Sequence, residues 1–376
     1  MLYPVDLERF WHDNALSMDK PFSTDKPQVP MALRTTEGCL WKELGIPKDP
    51  RYYEDPLVHA RLNRLYNDKA EEIVGARILR ETLIPPEEDL PRPLRIEELF
   101  GSEITTIEGS EEIQGADWVR ESVHSIGELE ERMARVAGID LLKVVFPDGF
   151  QETLARLRDT YGVEQPLGMH IRGPVTAAIS ICGVENVIFW LVDYPEVMAR
   201  FRDLLAEKIV ELSTLLRRAT GAPQRGFSFS DDNCAMLNAD LYERFGLPIL
   251  QHVFSVFSPD EGDWRFQHSD SEMTHLLPLL NRVRLRAVNL GPTVHPATIR
   301  REMPRTVIHG QLPPFTFSRG TPEEIYASVR RDIEAVGTDG GLVVTTAGSV
   351  NPGSRLEGLR AVMYAIQQHG RYQPLD

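Results

Sequence analysis

Cysteine is almost absent from this chain. Its three thiols, Cys39, Cys182 and Cys234, are spread over 376 residues with no CxxC pair. That spacing offers neither a disulfide framework nor an all-thiolate zinc knuckle. A basic surplus is missing as well: Asp and Glu total 56 against 41 Lys and Arg, a net charge of −15. With no basic stripe to offset it, this balance argues against a nucleic-acid groove. No apolar run approaches the roughly 20 residues that span a bilayer. The opening MLYPVDLERFWHDN carries acids and lacks a basic start with an apolar centre, so no signal peptide is expected. Nucleotide fingerprints are missing too: no GxGxxG follows a strand, and no GxxxxGK precedes a Ser or Thr. Internal repeats and low-complexity tracts are not found. These absences leave a globular protein, expected in the cytoplasm, 42% apolar and long enough to bury a large core.

What is present is one recurring pattern. A short hydrophobic strand stops at polar, titratable groups, most clearly in WRFQHSD at 264–270. The pattern returns in LGMHIRG (167–173), GFSFSDDN (226–233), LRAVNLG (285–291), RTVIHGQ (305–311) and GLVVTTAG (341–348). Helix-length segments separate nearly all of them, which implies parallel, buried strands with right-handed crossovers. Further strands near 29–33 and 76–83 bring the count to eight, the (β/α)8 TIM barrel of an α/β protein. One domain is expected over 1–376, with 1–139 as an elaborated N-terminal region plus the first strands and 140–376 as the remaining barrel. The spacing predicts helices over 53–75, 125–137 (Ser125 as cap), 186–216 (interrupted near Tyr194 and Pro195) and 241–257 (with a break at Pro248). Others are expected at 321–336, capped by Thr321, and at 355–368. A solvent-facing hairpin is expected at 104–115 and an exposed loop at PPEEDLPRP.

In a barrel, the carboxyl ends of the strands share one mouth. That brings Arg172, Asp231, Asp232, Asn233, His268, Asp270, Asn289, His309, Gln311 and Thr346 forward as candidates. Carboxylates and imidazoles together can carry general acid and base work. They can equally supply oxygen and nitrogen ligands to a divalent metal with a position left open. His268, Asp270, Asp231 and His309 are the catalytic candidates, and His268 with Asp270 the metal ligands. Arg172, Asp232, Asn233, Asn289 and Gln311 are expected to contact substrate, Arg172 through an anionic part. His268 and Asp270 lie two residues apart, so on a continued strand both face one side. Duller readings compete. Asp231, Asp232 and Asn233 suit caps on the segment that follows. A lone strand-end His is commonly a hydrogen-bonded structural group, and Cys182 and Cys234 suit packing better than nucleophilic attack. Residues 173–183, GPVTAAISICG, read either as an anion-holding helix N-terminus or as a closely packed small-residue helix.

Longer stretches resemble a known family. LGMHIRGPVTAAISICGVENVIFWLVDYPEVM is similar to a segment that uroporphyrinogen decarboxylases share with cobamide-dependent methyltransferases. SDDN, WRFQHSD, VIHGQLPP with SRGTPEEIYASVRRDI, and GGLVVTTAGSVNPGSRLEGLRAV follow in the same order. The likeness runs from about Gly168 to the end and implies a single (β/α)8 barrel. For the methyltransferases it implies zinc held by His-x-Cys and a later Cys, activating a thiol. Here His268 fills the first place, Asp270 stands at the first Cys position and Gly348 at the second. For the decarboxylases it implies an amino-terminal Arg-rich loop for substrate carboxylates. VPMALRTTEG supplies Arg34 there, and ARILRETLIPP lacks the expected Asp.

The resemblance implies a methyltransferase-like enzyme performing corrinoid-linked methyl transfer from or to a small substrate, at a non-thiolate polar or metal site. The alternative is a lyase decarboxylating a carboxylated, tetrapyrrole-like substrate, with Arg34 and Arg172 as clamps. The second alternative is a non-catalytic ligand-binding barrel. A divalent metal such as zinc is the expected cofactor. The expected partners are a small-molecule substrate, a corrinoid protein and a second copy in a homodimer, with neither nucleic acid nor membrane.

Overall fold

The computed structural model describes residues 2–85, 90, 92–110, 112–162 and 171–372. Each of the five later strand segments carries a strand where the pattern placed it. The sixth, 167–173, lies outside the described residues up to His170, as does much of PPEEDLPRP. Two compact units divide the chain: Pro85–Ile107 with Ala116–Arg286, and Met1–Ile84 with Glu108–Gly115 and Ala287–Asp376.

The first of these, central in the sequence, begins with the antiparallel pair β1 (Glu103–Ile107) and β2 (Ala116–Arg120). The hairpin therefore exists, with its second strand beyond the expected 104–115. Strands β3 (Phe227–Ser230) and β4 (Arg265–Ser269) run parallel, Ser230 opposite His268. Arg172 forms a parallel bridge to Ser230, and the Gly173 N–H donates to Ser230 O at 2.6 Å, so the chain enters beside β3. Phe227, Phe229, Gln267 and Ser269 are buried on one face of this pair, which leaves Ser230 and His268 on the other. Against the buried face packs the helix Gly246–Phe257, its Phe257 stacked on Phe227 and its Phe254 edge-on to Phe229, while Arg217 of the helix Pro195–Thr220 lies over the Phe227 ring. Punctuation follows local chemistry. Gly183, at φ +85°, turns the chain by 102° into the helix Val184–Asp193, and Pro195 starts the next, as expected. The break expected at Pro248 falls instead at Phe245, because a proline in the first turn of a helix costs no hydrogen bond.

The unit built from both ends of the sequence holds β5 (Ala287–Leu290), β6 (Val307–Leu312) and β7 (Leu342–Thr346), all parallel. Residues 29–33 run beside β7: Met31 bridges Val344, whose N–H donates to Pro30 O at 2.8 Å. Segment 76–83 forms no strand; Asn67 holds it by accepting the Ile78 and Leu79 N–H groups, which a strand ladder would otherwise use. The helix Pro322–Val336 starts at the expected cap, Thr321 and Glu324 each binding the other's backbone N–H. Leu356–His369 closes the chain and packs on it. Among the described residues, no single helix is long and apolar enough to cross a membrane.

Candidate active site

β3 and β4 end side by side, and their tips carry Asp231, Asp232, His268 and Asp270. The Asp231 N–H donates to His268 O at 2.9 Å, extending the parallel pairing one residue past Ser230. From that anchored point two adjacent aspartates go different ways. Asp231 has no exposed surface. Its carboxylate accepts the Thr176 N–H at 2.8 Å and the Val175 N–H at 3.5 Å, and so closes the N-terminus of Pro174–Cys182. Two of the donors every helix start leaves over are satisfied in this way. Thr176 replies by accepting the Asn233 N–H at 3.1 Å. Asp231 is thus a cap, as the duller reading allowed, but on a helix 55 residues earlier rather than on the segment that follows. Burial pushes its carboxyl up to about 6, against the pull of the two amides.

Asp232 turns the other way and accepts the Asp270 N–H at 2.7 Å. His268 and Asp270 share a face as their spacing implies, with Nε2 3.4 Å from Oδ1. Asp232, His268 and Asp270 each offer a ligand atom, and these lie within 4.8 Å of one another, the one such trio among the described residues. Burial raises the Asp270 carboxyl; the His268 imidazole lowers it and the Asp232 charge raises it further. One nitrogen and two oxygens on two anchored strand ends can accept and return a proton, or hold a divalent cation with positions left for a substrate. The zinc set that the resemblance implies does not fit, because two of its three donors are thiolates. Position 270 supplies an oxygen and position 348 a glycine.

Arg172 lies beside this turn within a buried ionic group. Its Nη1 donates to Ser180 Oγ (3.1 Å), its Nη2 to Asp117 O (2.9 Å), and its Nε lies 3.4 Å from Glu97 Oε1. Glu97 is 1% exposed, and its carboxyl is raised by burial against the pull of Arg172 and Arg95. Sequence reasoning missed Glu97, Asp117 and Thr176, which carry no local signal. Gly173 could have been found, since a Gly-Pro after a strand marks a close approach.

The remaining expected residues belong to the unit built from the chain ends. Asn289 donates to His309 O (2.6 Å) and Thr346 O (2.9 Å) and accepts the Gly348 N–H (3.1 Å), which ties the ends of β5, β6 and β7. Gln311, 1% exposed, donates to Gly291 O and Val294 O. His309 is held down at about 4 by burial, a neutral imidazole at pH 7. Arg34 is exposed and lies over the Trp11 ring, 5.1 Å from its centroid.

Comparison with known proteins adds to this geometry. The family model described as uroporphyrinogen decarboxylase (URO-D) matches residues 123–369. Among curated proteins, the chain is similar to a methylated-thiol–coenzyme M methyltransferase of Methanosarcina mazei, 27% identical over 236 residues. That alignment covers 60% of this chain and 62% of the relative, so the chain spans less than two thirds of the relative's length. Among solved structures, a methyltransferase from Methanosarcina mazei matches with a TM-score of 0.61 at 18% identity, over 94% of this chain and 97% of that one. This last likeness shows the fold, a barrel of the (β/α)8 type.

Proposed function

Because the chain belongs to the uroporphyrinogen decarboxylase (URO-D) family, we propose that it is a methyltransferase acting in the cytoplasm on a small substrate, with a corrinoid protein as its partner. The observation that carries this reading is the trio Asp232, His268 and Asp270 at neighbouring strand tips, in a chain whose curated relative is named a methyltransferase.

Methyl transfer to a hydroxyl or thiol releases that group's proton, and a base must stand within hydrogen-bond reach to take it. His268 takes that role. Asp270, 3.4 Å away, orients the ring and stabilises its charged form. Asp232 fixes Asp270 through the 2.7 Å bond to its backbone N–H. Asp231 acts as a positioning residue, and Asn233 contacts substrate from the same turn. Arg172 offers its guanidinium edge to an anionic part of the substrate.

The test is a methyl-transfer assay with methylcobalamin and a panel of small thiol and hydroxyl compounds, following loss of the methylated corrinoid by its visible spectrum. Transfer is expected, with His268→Ala lowering the rate about 100-fold or more, the range for loss of a general base. No transfer with any acceptor, or an undiminished His268→Ala, contradicts the proposal. Carbon dioxide release from uroporphyrinogen would replace it with the decarboxylase reading.

A further inference from the structure

We propose that the helix Val184–Asp193 is a docking surface for a different protein, one that presents apolar side chains flanked by Lys or Arg. The methyl-transfer reading makes no use of this face, so the two stand or fall separately.

Seven of the ten residues in VENVIFWLVD are apolar, and Phe189 falls between Glu185 and Asp193, so no side of the helix is wholly polar. A helix that is apolar all round belongs in an interior. This one is covered by its own chain on one side alone. Val187, Trp190 and Leu191 are buried there. On the other side Val184, the half-buried Ile188 and Val192 succeed one another at every fourth residue, with Phe189 three residues before Val192. Phe189 and Val192 are each 61% exposed, and Tyr194, just past the helix end, is exposed as well. The preceding helix, Pro174–Cys182, is the contrast, with eight of its nine residues buried. The 102° turn at Gly183 takes the chain out of that enclosed position. Single exposed apolar residues are ordinary, but a continuous row marks a surface that something covers.

Charge selects what covers it. Glu185 and Asp193 lie four residues to either side of Phe189 along the same row, so a carboxylate brackets that ring in each direction. Glu196 follows in the next helix. Glu121 stands at the helix start, its carboxylate within 3.0 Å of where a Cβ on Gly183 would be. All four acids are exposed, and no Lys, Arg or His occurs from 183 to 199.

A second copy of the chain fits this pattern badly. Paired antiparallel, Glu185 of one helix meets Asp193 of the other; paired parallel, each acid meets its own kind, and no cation offsets either. An anionic lipid surface attracts basic segments and repels these carboxylates. A protein segment whose apolar residues are bracketed by Lys or Arg matches both features. Its centre covers Phe189 and Val192 as anchors, and its cations pair with the acids at the rim.

The experiment titrates the full chain into two dye-labelled synthetic amphipathic helices and follows fluorescence anisotropy. One peptide carries leucines flanked by lysines; the other has glutamates in place of the lysines. The lysine peptide is expected to bind and the glutamate peptide is not. Phe189→Ser and Val192→Ser should each weaken binding about 10-fold or more, as loss of a central anchor does. Both side chains are exposed, so the melting temperature should stay unchanged. Glu185→Lys with Asp193→Lys should weaken binding and flatten its salt dependence. Glu261→Lys, at an exposed acid on the loop before β4, should do neither. No binding of the lysine peptide overturns the inference, as does binding indifferent to Phe189→Ser or weakened equally by Glu261→Lys. A dimer in sedimentation that Phe189→Ser dissolves also overturns it, giving the face to a second copy. Vesicle binding that Phe189→Ser abolishes overturns it in favour of lipid.

Discussion

Asp231 and Asp232 are adjacent, yet one carboxylate is sealed inside the protein and the other stands beside His268. Removing the sealed one should be the more damaging to stability. Asp231→Ala leaves the Val175 and Thr176 N–H groups buried without their acceptor, a loss of about 2–4 kcal/mol by the cost of a lost cap plus an unmet donor. Urea denaturation reads this directly, and a change below about 0.5 kcal/mol would contradict the capping role. His309 makes a pH prediction. Burial holds its imidazole down at about 4 from 6.5. Above pH 6.5 the ring is neutral folded or unfolded, and its contribution is fully present. As pH falls from about 6.5 to 4 the unfolded chain takes the proton first, so stability drops. At about 1.36 kcal/mol for each pH unit of that gap, the drop totals about 3 kcal/mol. In His309→Gln that part of the pH–stability curve should flatten; two superimposable curves would refute the assignment. The sequence made SDDN and HSD legible as polar tips because a strand's period of two is rigid. It could not tell which aspartate faces in, since the deciding partner, Thr176, lies 55 residues away.

At the scale of elements, the Gly173 turn joins the chain beside β3 to the helix Pro174–Cys182. A Cβ on Gly173 would sit 2.1 Å from the Cβ of Asp231, so no side chain fits without moving the strand tip. Gly173→Ala should therefore cost more than about 3 kcal/mol, the range of large strain effects, and should also disturb Asp232 and the trio. The capping box at Thr321 provides the contrast: Thr321→Ala should cost about 1 kcal/mol and leave the trio's chemistry unchanged. Equal losses in the two variants, compared by thermal melts, would contradict the special place of Gly173. Strands with apolar bodies and helices with proline or threonine starts were readable because their signals are local. The coil at 76–83 was not, because Asn67 supplies acceptors from a neighbouring helix and removes the need for a ladder. The position of the second hairpin strand was lost for a related reason: alternation at 104–115 is weak, and pairing rather than pattern sets the register.

For the whole molecule, family and fold class were legible in the order of the motifs from Gly168 onward. The reaction was not, because the residues that distinguish the branches are departures here: Asp270 and Gly348 where thiolates stand in the resembling methyltransferases. We propose that the two units unfold as one domain. Trp11 and Trp41 lie in one unit and Trp118, Trp190 and Trp264 in the other, so fluorescence samples both. Fluorescence and far-ultraviolet circular dichroism should give one coincident transition in urea; two separated transitions would show independent domains. The central claim, that Asp232, His268 and Asp270 make one reactive centre, is tested most directly by the rate of methyl transfer from methylcobalamin in Asp232→Asn, His268→Ala and Asp270→Asn, each checked for an unchanged melting temperature. The account predicts a loss of about 100-fold in His268→Ala and of about 10-fold or more in each aspartate variant. Rates equal to that of the unsubstituted chain in all three would contradict it.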